Sequence, residues 1–146
     1  MMTITPGIYR IRNVATNQYL TPQGGYATAG RPVKFEDFNQ EGAQKWKLGY
    51  FEELAGTYMI ANYVTEVRLQ PGIPASRREL PALEVNSVNF TWVIAQAPSG
   101  QGYFLVKGDE QDQVAEADAT TGEPVLNDLD RSRGERRQMW IFEAAA

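Results

Sequence analysis

Gln44-Lys45-Trp46-Lys47-Leu48, Phe90-Thr91-Trp92-Val93-Ile94 and Gln138-Met139-Trp140-Ile141-Phe142 contain all three tryptophans of the chain, 46 and 48 residues apart. In each stretch an aliphatic or aromatic residue follows the tryptophan by two positions, the alternation of a strand with one buried face. A second marker lies upstream of each: Gly7-Ile8-Tyr9-Arg10-Ile11, Gly56-Thr57-Tyr58-Met59-Ile60 and Gly102-Tyr103-Phe104-Leu105. These tyrosines lead their tryptophans by 37, 34 and 37 residues. Two markers holding one phase through three copies define an internal repeat, with copies at about 7-50, 56-96 and 102-143 of a single 146-residue domain.

Between the markers each copy has room for two further short strands bounded by Gly, Pro, Asn and Asp. In the first copy they are Tyr19-Leu20-Thr21 and Pro32-Val33-Lys34-Phe35; in the third, Gln113 to Glu116 and Val125 to Leu129. No stretch sustains helical spacing with caps. Four strands in each of three copies predict about twelve strands. Three units fall below the four blades that normally close a propeller, so the expected all-β fold is a closed threefold barrel.

Composition narrows the function. The chain has no cysteine and no histidine. Disulfides, thiolate nucleophiles and zinc ribbons are excluded, and so are the usual general base and the imidazole metal sites. A non-enzymatic protein without metal or other cofactor is expected. With 42% apolar residues there is material for a real core, which packing alone must hold. The net charge of -4 disfavours a nucleic-acid partner, whose binding relies on clustered cations. Nowhere do about 18 apolar residues run together, so no membrane association is expected, and the absence of a signal-peptide pattern at the N-terminus predicts a cytoplasmic location.

Gln44-Lys45-Trp46 and Gln138-Met139-Trp140 resemble the Gln-x-Trp signature of β-trefoils related to the ricin B chain, and the resemblance covers the whole chain; Phe90-Thr91-Trp92 keeps the tryptophan and loses the glutamine. Lectins of that type imply a sugar site in each active repeat: an aspartate just after the second strand, an aromatic platform, and a polar residue shortly before the Gln-x-Trp. The chain departs from this. It has Leu20-Thr21-Pro22, Val67-Arg68-Leu69 and Val114-Ala115-Glu116 where the aspartate is expected, and only the third copy offers a carboxylate, at Glu116 or Asp118. Gly7 to Asn13 followed by Tyr19-Leu20, Trp92-Val93-Ile94 followed by Tyr103-Phe104-Leu105, and the terminal Gln138 to Phe142 resemble the mushroom trefoil inhibitors of serine proteases. That resemblance implies an inhibitor of trypsin-like serine proteases as the first reading. A glycan-binding lectin is its rival, and a cysteine-protease inhibitor of mycocypin type comes third.

An inhibitor needs a preorganised loop that enters the protease cleft, because little loop entropy is then lost on association. Three loops are candidates. The first, Pro22 to Arg31, carries Tyr26, Ala27 and Thr28 between two prolines that stiffen its ends. The second, Gln70 to Glu79, has two prolines and the dibasic pair Arg77 and Arg78. The third, Asp130 to Arg137, holds four of the ten arginines, of which Arg131 and Arg133 fit a pocket with an aspartate at its base. The acidic run Asp109-Glu110-Gln111-Asp112 lacks the spacing of a calcium loop, and Gly108-Asp109 reads as a hairpin turn.

Overall fold

The tyrosine and tryptophan markers prove to be cross-strand partners: Tyr9 stands opposite Trp46, Tyr58 opposite Trp92, and Tyr103 opposite Trp140. The computed structural model of the chain describes residues 4–52, 55–74, 76, 79–108, 112–130 and 136–145. In chain order its strands are β1 (Gly7–Asn13), β2 (Tyr19–Pro22), β3 (Val33–Glu36), β4 (Trp46–Glu52), β5 (Thr57–Asn62) and β6 (Arg68–Pro71). They continue as β7 (Leu83–Asn86), β8 (Trp92–Gln96), β9 (Tyr103–Lys107), β10 (Gln113–Ala117), β11 (Pro124–Asp128) and β12 (Trp140–Ala144).

Antiparallel pairing closes six of these strands into a ring. β1 pairs with β12 and β4, β5 with β4 and β8, and β9 with β8 and β12. The other six form the hairpins β2–β3, β6–β7 and β10–β11. Neighbouring hairpins are tied to one another. Pro32 bridges Glu84, Ala82 bridges Val125, and the Lys34 ammonium lies 2.7 Å from the Glu123 carboxylate. A six-stranded barrel capped by three hairpins is a β-trefoil, with four strands in each of three pseudo-repeats.

The tryptophans explain why the sequence selects this arrangement. All three are fully buried. Each ring removes about 200 Å² from water, on the order of 5 kcal/mol of gross stabilisation. The indole N–H of a buried tryptophan also needs an acceptor. Trp46 donates to the Leu20 carbonyl at 3.0 Å, Trp92 to that of Leu69 at 3.0 Å, and Trp140 to that of Ala115 at 3.1 Å. The same contact therefore locks the second strand of every repeat against its fourth.

The tyrosines are less uniform. Tyr58 is fully buried and donates to the Ile4 carbonyl at 2.8 Å. Tyr9 and Tyr103 are half-buried and both meet the edge of Phe142. The turns after β1 and β5 share a motif, Asn13-x-x-Thr16-Asn17 and Asn62-x-x-Thr65-Glu66. Asn13 Nδ2 reaches the Arg137 carbonyl at 3.0 Å and Asn62 Nδ2 that of Ala43 at 2.9 Å, while Asn17 and Glu66 take positive φ. After β9 the contact is between backbones, Gly108 N donating to the Thr91 carbonyl at 3.1 Å. A Cβ on Gly108 would sit 2.5 Å from Thr91 Oγ1 and 2.8 Å from the Thr91 carbonyl, so the two segments touch as backbone.

Candidate binding site

Side chains alternate along a strand, so the residue after each tryptophan-bonded carbonyl points away from the core. Those residues are Thr21, Gln70 and Glu116. In the first and third repeats a short 3-10 turn, Gly42–Gln44 or Arg136–Gln138, sets the glutamine of the Gln-x-Trp beside that outward residue. Gln44 Nε2 donates to Thr21 Oγ1 at 3.1 Å and to the Asp37 carbonyl at 3.0 Å, and its Oε1 accepts from Asn39 N at 2.9 Å. Gln138 Nε2 donates to Glu116 Oε1 at 2.8 Å and to the Asp128 carbonyl at 2.7 Å, and its Oε1 accepts from Asp130 N at 2.9 Å. In the second repeat Phe90 replaces the glutamine and packs against Trp92. No amide is then offered, and Gln70 Oε1 is buried without a hydrogen-bond partner among the described residues.

Glu116 differs chemically from its counterparts. Its carboxylate is recessed, 7% exposed. Burying a charge is costly unless donors face it. Gln138 supplies one, and Asn127 Nδ2 supplies the other, to Oε2 at 2.8 Å; Asn127 is itself fixed by accepting from Asp128 N at 2.8 Å. A carboxylate offers about four lone-pair positions, so these two bonds, the ones made among the described residues, leave capacity for two more donors. Val125 stands opposite Glu116, where the first repeat has Lys34 opposite Thr21 and the second has Glu84 opposite Gln70. The aromatic platform implied by the lectin resemblance is absent from these three positions. Sequence reading singled out Glu116 but missed Asn127 and Gln138 as its partners. The available signal was an amide two residues before Trp140 and another on the facing strand.

The loop between β2 and β3 has a different character. Tyr26 is 57% exposed and Thr28 is exposed, whereas Ala27 is 2% exposed and packs in the main core. Ala27 is thus an anchor with no side chain to present. The loop base is stapled: Gln23 N donates to the Pro32 carbonyl, Arg31 bonds both the Gln23 carbonyl and Thr28 Oγ1, and Gly30 N reaches across to the Val85 carbonyl at 2.7 Å. In the neighbouring β6–β7 loop Ile73 is 97% exposed, its base closed by Gly72 N on the Ala82 carbonyl. An isoleucine between Gly72 and Pro74 was the unread signal there. Arg77, Arg78, Arg131, Arg133 and Asp109-Glu110-Gln111 lie outside the described residues.

A polar cluster covers the outside of the first repeat. Glu143 accepts from Arg12 Nε at 2.9 Å and from Tyr19 OH at 2.7 Å, and the Arg10 guanidinium lies over the Phe38 ring. Burial pushes the Glu143 carboxyl up, but the bonds from Tyr19 and Arg12 and the charges of Arg12 and Arg10 outweigh it and hold the group below its usual value. Burial and the Glu143 carboxylate raise the Tyr19 phenol. Among the described residues no group of three or more His, Cys, Asp or Glu is placed to hold a metal ion, and no helix is long and apolar enough to cross a membrane.

A family model described as ricin-type beta-trefoil lectin domain-like matches residues 2–70. Among solved structures, the Rhizoctonia solani agglutinin superposes with a TM-score of 0.81 at 16% identity, covering 99% of both chains. The Macrolepiota procera ricin B-like lectin, in complex with lactose, gives 0.75 at 15% identity over 98% of this chain and 99% of its own. A designed threefold symmetric protein, ThreeFoil, gives 0.74 at 18% identity over 94% of this chain and 98% of its own. At these identities the likeness shows the fold. No curated protein matches the sequence.

Proposed function

We propose that the protein is a carbohydrate-binding trefoil whose principal site is the outer face of β10 in the third repeat. The observation that carries this reading is the recessed Glu116 carboxylate, oriented by two amides and left with unused acceptor capacity. A rigid carboxylate accepts hydrogen bonds from two adjacent sugar hydroxyls, and charge-assisted bonds of this kind are roughly twice as strong as neutral ones. The lectin-type family match over residues 2–70 and the lectins among the structural likenesses support carbohydrate binding, and the placement at β10 rests on the Glu116 geometry alone. The first repeat presents a hydroxyl at the equivalent point and the second an uncharged amide, so neither offers a comparable acceptor. With no ring beside Glu116, affinity for a monosaccharide is weak, on the order of 1 mM, about -4 kcal/mol. A glycan array followed by titration of the hits, with lactose as the first soluble probe, tests the proposal. Binding must fall at least tenfold in Glu116→Ala and stay unchanged in Thr21→Ala. An array without hits, or a ligand indifferent to Glu116, ends this reading.

Protease inhibition is the second reading, favoured by the stapled β2–β3 loop and its protruding Tyr26. Pro32 and Glu84 join this loop to the β6–β7 hairpin that carries Ile73, so two apolar side chains project from one end of the barrel. Both suit apolar primary pockets such as those of chymotrypsin-like or subtilisin-like enzymes; the trypsin-like target that the sequence suggests stays with Arg77, Arg78, Arg131 and Arg133, outside the described residues. Inhibition titrations against chymotrypsin, subtilisin, trypsin, papain and legumain decide it. Inhibition lost in Tyr26→Gly or Ile73→Gly supports the reading, and no inhibition at micromolar protein removes it.

A further inference from the structure

The strands that open the repeats turn very different faces away from the barrel core. On β1 the outward residues are Arg10 and Arg12, engaged with Phe38 and Glu143. On β9 the equivalent residues are Phe104 and Val106, 7% and 8% exposed. They belong to a second apolar cluster with Ala97, Val114 and Met139, separate from the main core. A strand with one face on the core ordinarily keeps its other face polar. Here the outer face is apolar and does not close. A cavity of about 270 Å³ opens beside it, walled by Pro98, Phe104, Val106, Leu129 and Met139 around Ala97.

We infer that this cavity in the third repeat is a binding site for a small, neutral, apolar molecule, a single aromatic ring or branched alkyl group of comparable bulk. Volume, charge and adaptability all point to that class. An apolar cavity of about 150 Å³ stays dry and accepts benzene, so the space here takes one ring with a short substituent. Among the described residues no Lys, Arg, Asp or Glu lines it, and an ion brought in against those walls would lose hydration without compensation. Its polar rim is Ser99, whose Oγ lies 3.7 Å from Met139 Sδ, and the solvent-exposed Gln96. Met139 itself supplies a flexible, polarizable thioether that moulds to an aromatic edge. Glu116 does not line the cavity, so the inference stands apart from the carbohydrate reading.

The test uses the full chain labelled with ¹³C at the methionine methyl groups and titrated with toluene. The Met139 methyl resonance shifts saturably, with a Kd on the order of 1 mM or tighter, while that of Met59 stays in place. Toluenesulfonate, the same ring with a charge, causes no shift. Ala97→Leu fills the space and weakens toluene binding at least tenfold while holding or raising Tm. Should that variant fail to fold, Ser99→Leu narrows the mouth and must give the same loss. A shift that never saturates, equal movement of Met59, or unchanged binding in a folded filled variant overturns the inference.

Discussion

The first and third repeats use one device and present different chemistry with it. In both, a buried tryptophan holds the second strand by its carbonyl, and a glutamine two residues earlier brackets the next side chain between two loop contacts. The first repeat brackets Thr21, a neutral hydroxyl, and its outer face is closed by the Arg12–Glu143–Tyr19 cluster. The third brackets Glu116, a charge, and its outer face is apolar and open. The scaffold therefore fixes where a side chain is held, and the residue placed there sets what it can do. The second repeat supplies the converse: without the glutamine, the acceptor on Gln70 goes unmet among the described residues.

The comparison breaks first at the core. Trp46→Ala and Trp140→Ala should each cost about 3–5 kcal/mol in chemical denaturation, the range for large-to-small changes at buried aromatics. A cost confined to one of them would mean that the repeats do not share their load. The brackets come next. Gln138→Leu should cost about 2–3 kcal/mol, because it strips one donor from a buried carboxylate, and Gln44→Leu about 1–2 kcal/mol, because it strips one from a hydroxyl. Equal costs in urea melts would show that the charge on Glu116 draws its support elsewhere. At the turn after β9, Gly108→Ala forces a Cβ to 2.8 Å from a backbone oxygen and should lower stability by about 1–3 kcal/mol. No loss would mean that the close approach to Thr91 is dispensable.

The smallest effect is electrostatic. Glu143 has a lowered carboxyl pKa in the folded chain, so its contribution is present above the unfolded value and lost as pH falls through the folded one. The stability gap between the wild type and Glu143→Gln should shrink in acid, and should amount to less than about 1 kcal/mol at neutral pH because the pair is partly exposed. The raised phenol of Tyr19 acts at the other end, its contribution fading as pH rises through the folded value. A gap that is flat with pH would remove the cluster from the account.

The fold was legible because large rings recurring at one phase can hardly be accommodated except as symmetry-related core. The direct pairing of Tyr9 with Trp46 was not, since spacing along a chain does not specify register. Glu116 stood out as the carboxylate of the third copy, but its environment depends on a 3-10 turn that no periodicity announces. Ala27 looked like surface because its neighbours are small and polar, and only tertiary contact buries it. The second apolar cluster had a signal that went unused. Phe104-Leu105-Val106 is apolar at its outward positions, 104 and 106, as well as at the inward 105, as expected of a strand covered on both faces.

The most direct test reads the bracketing amides themselves. In a two-dimensional ¹⁵N NMR titration with the strongest glycan from the array, the side-chain amide signals of Gln138 and Asn127 should shift saturably with one common Kd, and that of Gln44 should not move. Saturable binding that leaves Gln138 and Asn127 unshifted, or that moves Gln44 equally, would contradict the assignment of carbohydrate recognition to Glu116.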